Sequence, residues 1–289
     1  MKIVVLGAGG RLGAALVREF RPKYDVAVFD HAQLDLSNLE DLREKVGAAT
    51  FDVLINAAAF TNVDACETER DRAFRINAEA PGVLAEICNE KDAKLIHFST
   101  DYVFDGEKRG PYSEEDQANP ISAYGESKLA GEKNVLAGDG HLVVRVSWVF
   151  GPDRPSFVDA MIKRAQQDEK IDAISDKFST PTYTHDIARM LPQFFDRGVA
   201  GGILHFANAG KCSWQEYAQC ALDCCRDAGI PLKGETVGAL KLSEMTSWVA
   251  RRPVYSVLST AKYTELTGMA PRAWRDAVAD YITHFYSKK

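Results

Sequence analysis

The chain has 289 residues, 46% of them hydrophobic, and a formal net charge of −6. That is enough apolar material for one large domain or two joined ones. The negative balance argues against a general nucleic-acid binder, though not against a phosphorylated small molecule held by a few local donors or a helix N-terminus.

The first half alternates short apolar runs with helical patterns. Strands are predicted at KIVVL 2–6, VAVF 26–29, VLIN 53–56, KLIHF 94–98 and LVVRV 142–146, with helices over 11–20, 38–47, 79–91 and 122–137. This order predicts an α/β fold, a Rossmann-like doubly wound parallel sheet covered by helices on both faces. Beyond Trp148 the pattern loosens, with prolines at 152, 155 and 181 and helices suggested near 156–167, 185–197 and 213–228. Ala273, Trp274, Ala277, Val278, Tyr281, Ile282 and Phe285 recur at helical spacing and predict a last amphipathic helix. A dinucleotide-binding unit is expected over 1–150, completed by about 184–208. A smaller, mostly C-terminal substrate-binding unit then takes 151–183 and 209–289.

No run approaches the ~20 apolar residues that cross a bilayer, and Met1 leads straight into a strand-like run, so a soluble, unexported protein is expected. Cysteines at 66, 88, 212, 220, 224 and 225 form no C-x-x-C pair and no disulfide framework, which suits a reducing cytoplasm. Cys220 and Cys224 lie one helical turn apart without histidines nearby, so they are read as buried apolar side chains and no metal site is expected.

Gly7, Gly10 and Gly13 form G-x-x-G-x-x-G from the end of the first strand into the start of the first helix. A turn without side chains there lets backbone approach a pyrophosphate while the helix N-terminus supplies amide donors. Asp30 ends the second strand, where a carboxylate can grip adenosine ribose hydroxyls and repel a ribose phosphate, which favours NADH slightly over NADPH. A solvated strand-end aspartate is the competing reading. Asp35 and Leu36 follow in a loop that could contact adenine, and Ala57, Ala58 and Ala59 offer small side chains beside the cofactor.

Tyr124 and Lys128, in YGESK, share a helix face at i, i+4 spacing, and Ser99 and Thr100 end an apolar strand where ligands bind in open α/β sheets. An ammonium beside a phenol should lower its pKa and make Tyr124 a workable acid, with the Thr100 hydroxyl bonded to the substrate oxygen. An exposed helix turn would explain the Tyr/Lys pair alone. It does not explain its coincidence with the glycine loop, Asp30 and the strand-end hydroxyls.

With these residues in place, the chain resembles the extended short-chain dehydrogenase/reductases and, within them, the dTDP-4-dehydrorhamnose reductase family. The runs that carry the resemblance are VLINAAAFTNVDACE 53–67, STDYVFDG 99–106, YGESKLAGEK 124–133, RVSWVFG 145–151, STPTYTHDIA 179–188 and RRPVYSVLST 251–260. The resemblance implies reduction by NADH or NADPH of the 4-keto group of dTDP-6-deoxy-L-lyxo-4-hexulose to dTDP-L-rhamnose. It implies that Gly10, Arg11 and Leu12 line the pyrophosphate, Asp30, Asp35 and Leu36 the adenosine, and Ala59, Phe60 and Thr61 the cofactor's other side. Thr100 and Asp101 would meet the sugar, Tyr124 would donate the proton, Lys128 would hold the nicotinamide ribose, Trp148 would pack on the substrate, and Arg252 would meet the nucleotide phosphates. Some relatives hold magnesium with acidic residues at a dimer contact. Ala15 stands two positions after the third glycine here, so magnesium is not expected, and monomer and homodimer both stay open. Two other readings remain: a non-catalytic regulatory subunit of the methionine adenosyltransferase type, and another sugar-nucleotide reductase or epimerase.

Overall fold

The structure, a computed structural model, describes residues 1–199 and 201–286. In chain order the first half carries β1 (Lys2–Leu6), α1 (Arg11–Phe20), β2 (Asp25–Phe29), α2 (Leu39–Ala48), β3 (Val53–Asn56), α3 (Val63–Thr68), α4 (Arg70–Phe74), α5 (Ala80–Glu90), β4 (Lys94–Thr100), α6 (Ala123–Leu136) and β5 (Leu142–Val146). The second half carries β6 (Val149–Phe150), α7 (Phe157–Gln167), β7 (Ile171–Ile174), β8 (Phe178–Ser179), β9 (Thr182–Tyr183), α8 (Thr184–Met190), β10 (Gly202–His205), β11 (Cys212–Ser213), α9 (Trp214–Asp227), β12 (Val237–Leu240), α10 (Ala261–Thr267) and α11 (Trp274–Phe285).

The main sheet has six parallel strands in the order β2-β1-β3-β4-β5-β10. Alternate residues of each strand serve opposite faces, so a strand covered on both sides must be apolar throughout. Ile3, Val5, Val53, Ile55, Ile96 and Val144 enter the core beneath α1 and α8, while Val4, Leu6, Leu54, Leu95 and Val143 enter the one beneath α2 and α5. A third core, built around Phe150, Val158, Tyr217, Trp274 and Tyr281, joins α7, α9 and α11 into the smaller lobe.

All five predicted strands are present, and a sixth, β10, lies parallel beside β5. The helix expected over 185–197 is shorter: α8 ends at Met190 and a 3-10 turn follows over Leu191–Phe194. Pro192 explains the change, since it has no N–H to continue the α-helical ladder. Between β3 and α5, where no helix was expected, α3 and α4 are followed by a π-helical turn over Arg75–Glu79. Asn62 starts α3 by accepting from the Ala65 amide at 3.0 Å. Among the described residues no helix is long and apolar enough to cross a membrane.

The switch in strand order falls between β1 and β3, because the connection from β1 leads to β2 on one side and the chain then returns to place β3 on the other. A crevice opens there, outside the carboxyl ends of the strands. Ser122 caps α6 by accepting from the Gly125 amide at 3.3 Å. A Cβ on Gly125 would come within 2.2 Å of the Tyr102 carbonyl oxygen. Only glycine therefore lets the first turn of α6 approach the segment after β4 closely enough to set Tyr124 beside Thr100.

Candidate active site

A cavity of about 930 Å³ runs along the carboxyl ends of the strands, from the glycine turn to Trp148. Gly7 has φ of +76°, and a Cβ there would meet the Ala58 amide nitrogen at 2.9 Å; a Cβ on Gly13 would meet the Gly7 carbonyl oxygen at 2.2 Å. Both contacts are with backbone, so a methyl at either site must push β1, α1 and β3 apart. Gly10 stands at the N-cap of α1 and no side chain caps that helix, which leaves its first turn turned toward the cavity with the donors and positive potential an anion requires.

The structure brings Gly7, Gly10, Arg11, Leu12, Asp30, Asp35, Leu36, Ala59, Phe60, Thr61, Thr100, Asp101, Tyr124, Lys128 and Trp148 to the lining of this one cavity. It does not bring Gly13 or Arg252 there. Gly13 sets the spacing between α1 and the turn. Arg252 is tied to the Asp64 carboxylate by two bonds of 2.8 Å, with its guanidinium 4.6 Å from the centroid of the Trp248 ring. Asp64 also accepts from the Val249 and Ala250 amides, and this set of donors holds its carboxyl down at about 2.

Arg11 reaches the cavity, but its guanidinium is spent on the carbonyls of Val149 and Arg154, each at 3.1 Å, and of Pro155. It ties α1 to the segment leading into the smaller lobe. Asp30 accepts from the Ala32 and Gln33 amides with one oxygen. Its carboxylate is thereby fixed at the wall of the cavity near the glycine turn. Arg72, over the Phe60 ring at 4.9 Å, and Arg154, bonded to the Gly9 carbonyl at 2.9 Å, are lining cations that the motifs did not single out.

At the opposite end Tyr124, Thr100 and Lys128 are all buried. Burial is the leading cause that pushes the Tyr124 phenol well above its ordinary range, with a hydrogen bond from Thr100 acting the other way. This corrects the expectation that the Lys128 ammonium lowers it. Lys128 instead points to the Phe98 carbonyl at 2.7 Å and to His97 Nε2 at 3.2 Å, and burial pushes its amine down to about 8, against the pull of Glu132. Glu132 is itself bound through both oxygens to Arg145, at 2.9 and 2.6 Å, deep beneath α6.

Asp101 faces the cavity, yet its carboxylate accepts from Thr100 at 3.2 Å, from Ser179 at 3.0 Å and from Ser256. It joins the segment after β4 to the smaller lobe through Ser179 and Ser256. Burial raises its pKa, opposed chiefly by Lys177. Lys177 was missed in the sequence, where it looks like an ordinary loop lysine. It is fully buried, donates to the Pro253 carbonyl at 2.6 Å, and lies 5.3 and 5.8 Å from the Tyr102 and Trp148 rings.

Trp148 has φ of +41°, a left-handed backbone that costs a residue with a Cβ about 1–2 kcal/mol. Its ring stacks on Tyr217 at 6.2 Å and tilts against Trp214 at 5.6 Å, so it is also part of the wall of the smaller lobe. Its indole N–H is buried without a partner among the described residues. An unpaired donor of this kind is costly in a closed protein, and a polar ligand in the cavity could satisfy it. The glycine turn, the uncapped helix and the small alanines after β3 likewise suit a dinucleotide. Among the described residues no group of three or more His, Cys, Asp or Glu side chains is arranged to hold a metal ion.

Comparisons with known proteins agree with this geometry. The dTDP-4-dehydrorhamnose reductase of Mycolicibacterium smegmatis is 40% identical over 287 residues, covering 97% of this chain and 85% of its own length. A probable dTDP-4,6-dihydroxy-2-methyloxan-3-one 4-ketoreductase of Streptomyces antibioticus is 37% identical, covering 97% of this chain and 94% of its own. The crystal structure of a Bacillus anthracis dTDP-4-dehydrorhamnose reductase in complex with NADP superposes with a TM-score of 0.90 at 32% identity, covering 97% of this chain and 98% of that one. The family described as RmlD substrate binding domain matches residues 1–287, and the chain belongs to that family.

Proposed function

We infer that the protein is a nicotinamide-dependent oxidoreductase that reduces the 4-keto group of dTDP-6-deoxy-L-lyxo-4-hexulose, dTDP-4-dehydro-L-rhamnose, to dTDP-L-rhamnose. The observation that carries this reading is one continuous cavity with a dinucleotide turn at one end and, at the other, Tyr124, Thr100, Lys128 and the unpaired indole N–H of Trp148. A regulatory subunit without sugar chemistry has no use for that donor or for a buried acid beside a hydroxyl.

Gly10 and the first turn of α1 receive the pyrophosphate, Asp30 the adenosine ribose, and Lys128 the nicotinamide ribose. Asp30 favours NADH slightly, since its carboxylate accepts from two hydroxyls and repels a 2′-phosphate. When bound, the reduced nicotinamide supplies the hydride to the keto carbon. Tyr124 gives its phenol proton to the ketone oxygen as the carbon–oxygen double bond becomes single. Burial keeps that proton on Tyr124 until the acceptor arrives, and the Thr100 hydroxyl, turning its proton from Asp101, steadies the phenolate that remains. Trp148 orients the sugar nucleotide with its N–H and ring face.

We place the enzyme in the cytoplasm as a monomer or homodimer, with free thiols at all six cysteines. A second reading, reduction of a different dTDP-linked keto-deoxysugar, is favoured by the likeness to the Streptomyces 4-ketoreductase. The deciding assay follows NADH and NADPH consumption with the dTDP-keto sugar made in situ. Formation of dTDP-L-rhamnose with matching cofactor oxidation supports the first reading. Absence of turnover there, with turnover of another dTDP-keto sugar, replaces it with the second.

A further inference from the structure

Trp148 combines a strained backbone with an unpaired indole N–H, and the stretch that shapes it is 177–182. Ser147 Oγ donates to the Thr180 carbonyl at 2.7 Å and the Thr182 amide to the Trp148 carbonyl at 3.3 Å, so this stretch holds the backbone at Trp148 and at the residue before it. Lys177, at its start, is fully buried, and its ammonium lies 5.8 Å from the centroid of the Trp148 ring and 5.3 Å from that of Tyr102. We infer that Lys177 is a positioning residue for sugar-nucleotide binding, an internal cation that holds the Trp148 ring and so fixes the direction of its indole N–H. That the ligand meeting this donor is a sugar nucleotide rests on the proposed reductase reading.

An ammonium has three hydrogens to place and accepts nothing. One goes to the Pro253 carbonyl at 2.6 Å, and no second hydrogen-bond acceptor meets it among the described residues. What lies beside it instead is aromatic. A cation within about 6 Å of a ring centroid is drawn to the negative ring face, and Lys177 meets that condition with two rings at once. Both rings line the cavity while Lys177 stands behind them, so it acts on a ligand through them. Tyr102 is in turn packed edge-on against Tyr124 at 5.6 Å. A methionine or leucine would fill the same space without desolvating a charge. The charge is used by the carbonyl, by the two rings and by Asp101.

The groups around Lys177 leave it charged at neutral pH. Burial, the largest influence, pushes its pKa down to about 8, which is still above neutral, while Asp101 from the segment after β4 pulls it up and Arg252 from the segment before α10 pushes it down. Arg252 is held by the Asp64 carboxylate at 2.8 Å, which offsets its charge. Tyr102 is kept as the neutral phenol by its own burial. Asp101 depends on the cation in return. Burial raises its pKa, and Lys177 is the first of the influences that lower it, ahead of the hydroxyls of Ser256, Ser179 and Thr100.

Lys177→Gln removes the charge and keeps an N–H for the Pro253 carbonyl, so it separates the cation from the hydrogen bond. In the unliganded protein, the indole N–H resonance that vanishes in Trp148→Phe should shift in Lys177→Gln. Titration with the dTDP-keto sugar should give a KM about 3- to 10-fold higher, the size of one desolvated cation–ring contact, with kcat and NADH affinity changed by less than about 2-fold. In a Trp148→Phe background, where no indole N–H remains to be aimed, the same substitution should raise KM by less than about 2-fold. An unmoved Trp148 indole resonance, equal rises in KM in the two backgrounds, or a fall in kcat larger than the rise in KM overturns the inference. If Lys177→Gln does not fold because Asp101 loses its cation, the same comparisons are made between Asp101→Asn and Asp101→Asn with Lys177→Gln, where no carboxylate is left stranded. Wild-type protein that turns over no dTDP-keto sugar rejects the reductase reading, and the indole spectrum, read without substrate, still decides whether Lys177 holds Trp148.

Discussion

Replacing Trp148 separates its three roles, because backbone strain, ring packing and the indole N–H respond to different substitutions. Trp148→Ala and Trp148→Gly both remove the ring that stacks on Tyr217 and Trp214. A fully buried tryptophan costs about 3–5 kcal/mol on truncation, and for this half-buried one about 2 kcal/mol is expected. Alanine keeps the penalty of φ +41°, whereas glycine escapes it. At an ordinary position glycine is the less stable of the two by about 0.5–1 kcal/mol. Here the order should reverse, with the glycine variant more stable than the alanine variant by about 1 kcal/mol, roughly 2–3 °C in melting temperature. Trp148→Phe should leave the melting point near wild type, since the indole N–H it deletes has no partner among the described residues. It should raise KM for the sugar nucleotide about 3- to 10-fold, as loss of one hydrogen bond worth about 0.5–1.5 kcal/mol requires, with NADH affinity unchanged. Thermal melts of the three variants beside substrate titrations give both readouts. An alanine variant as stable as the glycine variant refutes the strain argument, and an unchanged KM in the phenylalanine variant refutes the ligand contact.

Tyr124→Phe should lower turnover by about 10²-fold or more while leaving NADH binding intact, measured by stopped-flow reduction and fluorescence titration; near wild-type turnover with the chemical step limiting would assign the acid elsewhere. Asp30→Asn should raise catalytic efficiency with NADPH relative to NADH, and an unchanged ratio would remove Asp30 as the discriminating group. Glu132→Gln strands the Arg145 guanidinium and should cost about 3–5 kcal/mol in denaturant unfolding, whereas a surface pair would cost less than about 1. The Asp64 carboxyl sits below its unfolded value of 3.8, so its contribution to stability is complete above that pH and fades as pH falls from about 4 towards 2. Arg252→Met should flatten that part of the acid-stability curve, and an unchanged curve would show the clasp contributes nothing.

What the sequence disclosed and what it hid divide along one physical line, the distance over which a residue's meaning is decided. β3 and β5 were legible because a strand buried on both faces is apolar at every position, and the turn after β1 because glycines spaced by three from a strand end into the first turn of a helix have few other uses. β10 was not, since its four residues begin with a glycine and only its pairing with β5 makes it a strand. Tyr124 and Lys128 declare themselves by local spacing. His97 does not: within KLIHF it reads as one more buried strand residue, and only Asn56, 41 positions earlier, and Lys128, 31 later, give its ring polar partners. Arg252 shows the converse. Its basic run suggested a phosphate, and the carboxylate that claims it lies 188 residues away on α3. The groups proposed to touch ligands sit in local motifs here because the turn or helix that shapes each one is itself local. The groups that fix protonation and charge around them are recruited from strands brought together by the sheet, so their roles exist only once β3, β4 and α6 are side by side.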